Sequence, residues 1–122
     1  MIANLAHEGI YFVIAGLTTT RRFLRAFGRA THFMFEQGDQ AKSILRKYAK
    51  IDDPGMLEGS LKYAQDFTEK IPLVKREGVQ VVLDQEIAKN PPAKEFTPER
   101  FYDNSLVQEL IHEGFYKSLW SK

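Results

Sequence analysis

The chain has 122 residues, 27% of them charged and 43% apolar, with a formal charge of +1 at neutral pH. That size allows one domain with one modest core, and the near-zero charge argues against a dedicated nucleic-acid surface. There is no cysteine, which excludes disulfides, thiolate nucleophiles and cysteine-ligated metals.

In chain order, Gly9-Ile-Tyr-Phe-Val-Ile-Ala-Gly16 comes first. It is rich in β-branched and aromatic residues, is bounded by glycines, and reads as a buried strand. A lone strand cannot satisfy its own backbone donors and acceptors, so it calls for a partner strand from elsewhere. Self-association through residues 9–17 is one expectation that follows. The apolar run Ile10 to Leu17 is too short to span a bilayer. No Lys or Arg precedes it, so it makes a poor signal peptide, and the chain as given would stay cytoplasmic.

Thr18-Thr-Thr20 supplies a helix cap, followed by Phe23, Leu24, Phe27, Thr31 and Met34 at helical spacing. Arg21, Arg22, Arg25 and Arg29 form a basic stretch on that helix and read as a solvated face rather than a phosphate reader. Gly38-Asp39 punctuates, and Asp39 caps a second helix with Ala41, Ile44, Leu45, Tyr48 and Ala49 on its apolar face. Asp53-Pro54 starts a third, because a cap carboxylate followed by proline at the first helical position is a strong signal. Leu57, Leu61, Ala64 and Phe67 give its inner face, and Pro72 ends it.

Residues 74–89 are ambiguous. Val79-Gln-Val-Val-Leu83 has strand propensity, but Val79, Val82, Leu83, Glu86 and Ile87 fit a helical period, and the segment is assigned as helix. Three prolines make residues 90–98 a loop. Ser105 with Gln108 makes a capping box for a final helix, lined by Leu106, Val107, Leu110, Ile111 and Phe115.

Candidate chemistry is sparse. His7, His32 and His112 are far apart and lack the short-range pairing of metal sites. His32 fits partial burial or solvent exposure better than ligation, and His112-Glu113 is most simply a surface pair. His7-Glu8 could act as acid and base, but nothing marks a nucleophile nearby. Asp52-Asp53 is better explained as a helix cap than as paired catalytic carboxylates. Phe33, Met34 and Phe35 cannot all face one core, so at least one points outward or into a partner, a candidate patch for self-association. No cofactor and no metal is expected.

Several segments come in a fixed order: Leu45-Arg-Lys-Tyr48, Ile51-Asp-Asp-Pro54, Leu57-Glu58, Gly78-Val-Gln-Val-Val-Leu-Asp84, and Leu106-Val-Gln-Glu-Leu110 with Gly114-Phe115. That order resembles the C-terminal end of solute-binding proteins of ABC importers, in the nitrate/sulfonate/taurine and pyrimidine-precursor group. Gly9-Ile-Tyr-Phe-Val and Thr19-Thr-Arg-Arg-Phe-Leu24 look like that family's strand and its Thr-Thr-Arg stretch. The resemblance runs from about Leu5 to about Leu119. Relatives usually separate the Thr-Thr-Arg stretch from the next Arg-rich helix; here Thr19 to Phe27 serves as both.

The resemblance implies a mostly helical chain with one principal strand, a partial domain over residues 1–122 from a two-lobed α/β periplasmic-binding fold. It implies a periplasmic substrate-binding component, not an enzyme, which hands a small solute to an ABC permease. Such a part alone would be weak or inactive. Tyr11 is the position it singles out as a ligand contact, though a core or hinge tyrosine is the plainer reading. Two alternatives stand beside it. One is a fragment of a thiamine-pyrimidine synthase of the same fold, which would need a reactive histidine and an iron site upstream. The other is a small helical interaction protein.

Overall fold

The computed structural model describes the backbone of residues 2–121 and the side chains of residues 16–121. Among these the chain is all helical. α1 spans Ile2–Glu36, α2 Gly38–Ala49, α3 Pro54–Phe67 and α4 Arg76–Lys89. Two 3-10 turns follow, Pro91–Glu95 and Pro98–Arg100, and then α5 (Ser105–His112) and α6 (Phe115–Trp120).

The largest correction concerns residues 9–17. They form no strand but lie inside the 35-residue α1, which is roughly 50 Å long. β-Propensity depends on context, and with no strand among the described residues to pair with, a helix satisfies every N–H and C=O within the segment. Thr18 to Thr20 accordingly lies inside α1 rather than at its start. The Thr20 hydroxyl donates to the Gly16 carbonyl at 2.8 Å, the i−4 bond of a threonine inside a helix.

α1 ends against Gln37, whose N–H donates to the Phe33 carbonyl at 2.8 Å. Gln37, not Asp39, occupies the cap of α2. Asp39 sits in the first turn instead and pairs with Lys42 at 3.0 Å, and Lys42 also reaches Glu58 of α3 at 2.8 Å. Lys50, in the left-handed region at φ 54, closes α2.

α3 begins as expected. Asp53 Oδ1 accepts the Met56 N–H at 2.7 Å, and Pro54 stands at the first helical position. The helix ends at Phe67, before Pro72 is reached. The helical assignment of residues 74–89 holds as α4. The proline-rich loop is more ordered than expected: Pro91 and Pro98 each open a 3-10 turn, where a missing N–H costs nothing. The capping box at Ser105 is not formed. Ser105 is the first helical residue, and its N–H donates to Asp103 Oδ1 at 2.8 Å. The final helix is two: Gly114, at φ 77, breaks it between α5 and α6, a backbone conformation that costs glycine little.

Val107, Leu110 and Tyr116 form the buried cluster, with Leu24, Ile71, Leu73, Ile111, Phe115 and Trp120 packed on it. α1 is therefore held between α6 on one side and α2 and α3 on the other. Leu57, Leu61 and Ala41 are buried as expected. Ile44, Tyr48 and Phe67 are exposed, as is Ala49, so those helices bury narrower stripes than their apolar spacing suggests.

Candidate functional site

Among the described residues, a polar depression of about 270 Å³ between α2 and α3 is lined by Asp39, Lys42, Ser43, Arg46 and Glu58, and three further surface features offer places for a ligand or partner. The first lies between α1, α2 and α3. Phe33, Met34, Ile44, Leu45 and Leu61 line a groove of about 240 Å³. The neighbours Phe33 and Met34 face this groove, while Phe35 turns to the other side and meets Trp120 edge-on at 5.7 Å. The expectation that the three cannot share one core is thus met by a helix packed on two faces, and all three are half-buried.

The second feature flanks α4. Val79 and Val82 border two adjoining depressions, one of about 430 Å³ with Leu73 and Val74, the other of about 240 Å³ with Leu83 and Phe101. Both are open and mostly apolar, with the Glu69–Lys75 ion pair lining the larger and Glu86 the smaller. A small polar solute needs several convergent donors and acceptors, and these linings are chiefly apolar.

The third is the cluster around Trp120, the one tryptophan of the chain. The Lys70 ammonium sits 4.6 Å from its ring centroid and 5.4 Å from that of Phe35, and His32 meets the indole edge-on at 4.9 Å. The Trp120 Nε1 and the Tyr116 hydroxyl are buried without a hydrogen-bond partner.

The basic stretch of α1 divides its work. Arg21 pairs with Glu109 at 2.7 Å, and Arg25 pairs with Glu113 while its guanidinium lies 5.3 Å over the Phe115 ring. These two arginines fasten α1 to α5 and to the turn that follows. Arg22 and Arg29 are exposed, as a solvated face requires.

Tyr11 lies within α1, not on a strand, and its side chain, like that of His7, is outside the described residues. His112 is exposed at the end of α5 and His32 is half-buried against Trp120, so the structure does not bring these two together. Among the described residues, no three His, Asp or Glu side chains gather to hold a metal ion. Nor is any helix of the described residues long and apolar enough to cross a membrane.

The perturbed acids and bases are surface anchors. Hydrogen bonds that the Lys42 ammonium donates to Glu58 and Asp39 hold its pKa above the ordinary value, and Glu69, accepting at 2.6 Å, does the same for Lys75. Backbone hydrogen bonding and Arg76 keep Glu99 low, and the Ser105 N–H keeps Asp103 low. Each has an ordinary structural cause; Lys42 lines the depression of about 270 Å³ with Asp39, Ser43, Arg46 and Glu58, and Lys75 lines the depression of about 430 Å³ beside α4 with Glu69, the carboxylates being the ion-pair partners already named.

Sequence reasoning missed Asn104. Its side-chain oxygen accepts the Val74 N–H, and its amide donates to the Val74 carbonyl, both at 2.9 Å. No local signal marks a contact between residues 30 positions apart. The chain matches no family model, no curated protein and no solved structure.

Proposed function

We propose that this chain serves small-solute uptake as the C-terminal helical part of the substrate-binding component of an ABC importer, of the nitrate/sulfonate/taurine and pyrimidine-precursor kind. The parent fold would be the two-lobed α/β one, located in the periplasm and delivering solute to a membrane permease. The observation that carries this proposal is the order of the segments Leu45–Tyr48, Ile51–Pro54, Gly78–Asp84 and Leu106–Phe115. Their local structure is compatible with it: Asp53 caps α3, residues 78–84 lie in α4, and residues 106–115 run from α5 across a glycine turn into α6.

The role is one of packing. Phe23, Phe27, Ile44, Val81, Val82 and Phe101 are all exposed, and apolar side chains in this number suit a segment that lies against a larger body. Solute capture in such a component is lobe closure, in which hydrogen bonds from both sides replace the ligand's water.

Calorimetry tests the consequence for the chain alone. A one-sided surface leaves a solute partly hydrated, and its hydrogen bonds then merely replace bonds to water. Nitrate, taurine, alkanesulfonates and thiamine-pyrimidine precursors should show no saturable binding at micromolar concentration. Micromolar binding by a monomer, with the mass checked by sizing on the same sample, would show a complete site within these residues and contradict the packing role.

A further inference from the structure

We draw no further inference here: the strongest candidate, the apolar groove between α1, α2 and α3 lined by Phe33, Met34, Ile44, Leu45 and Leu61, with the exposed Phe23 and Phe27 sharing the α1 face of Met34 at helical spacing, carries nothing because nothing in the structure shows what covers it.

Discussion

Asn104 and Val74 are joined by a pair of hydrogen bonds, side-chain oxygen to backbone N–H and side-chain amide to backbone carbonyl, each 2.9 Å long. The pair ties the connection between α3 and α4 to the start of α5, beside Leu73, which packs on the buried cluster. One side chain thus satisfies both polar groups of a residue that lies just before α4. Asn104→Ala should cost about 1–2 kcal/mol, the net worth of two such bonds. Asn104→Asp keeps the acceptor, loses the donor and should fall between. Equal denaturation midpoints for all three proteins would show that the pair contributes nothing in solution.

What the sequence made legible was local. Asp53-Pro54 declared the start of α3 through the chemistry of two adjacent residues, and the cap is formed. The period of Val79, Leu83 and Ile87 outweighed strand propensity, and α4 is a helix. What was not legible depended on distant contacts. The apolar run from Gly9 to Gly16 has the composition of a strand, but among the described residues no strand stands ready to pair with it, and it lies within α1. Ile44 and Tyr48 stand at core spacing yet remain exposed, because burial depends on what lies opposite. The Asn104–Val74 bond leaves no trace in local pattern, and Phe115, legible as an inward-facing residue, carries no local sign that Gly28 of α1 is its neighbour. Of the candidate site residues, His32 is half-buried, one of the two environments its sequence context left open, whereas the location of Tyr11 on a strand is corrected to α1.

Gly28 of α1 lies under α6. A Cβ at this position would sit 3.0 Å from Phe115 Cε1 and 3.3 Å from Tyr116 Cε1. Phe115 is in turn held edge-on against Tyr116 at 5.0 Å and beneath Arg25, so its ring has little room to retreat. Alanine in a helix normally gains roughly 0.5–1 kcal/mol over glycine, but overpacking costs about 1–3 kcal/mol. The steric cost should win, and Gly28→Ala should destabilise. Gly59 of α3 meets nothing within 4 Å, so Gly59→Ala should stabilise by the helix-propensity gain. Chemical denaturation of both variants checks the contrast; stabilisation by Gly28→Ala would show that α6 does not approach α1 this closely.

Tyr116 is 2% exposed, and its hydroxyl has no hydrogen-bond partner. Removing an unpartnered polar atom from the interior relieves its desolvation, so Tyr116→Phe should leave stability near neutral pH unchanged or slightly raised. Burial also pushes the phenol pKa above its ordinary 10.0. The folded state therefore holds this proton more tightly than the unfolded chain. Stability associated with it is fully present below pH 10.0 and is lost as pH rises toward the folded-state value. The wild-type protein should lose stability above that pH more steeply than Tyr116→Phe. A loss of 1 kcal/mol or more at neutral pH in the variant, a typical hydrogen-bond loss of about that size, would reveal a partner for the hydroxyl.

The proposed role in solute uptake is tested most directly by transplantation. The C-terminal segment of an intact taurine-binding protein of an ABC importer would be replaced by residues 51–121 of this chain, and taurine binding by the purified chimaera measured by calorimetry. If the ordered segments mark a common packing unit, the chimaera folds as a monomer and binds taurine within about tenfold of the parent, a difference of roughly 1.4 kcal/mol. A control carrying an unrelated helical segment of equal length should not bind. A chimaera that folds with parental stability but binds no better than that control would contradict the proposal.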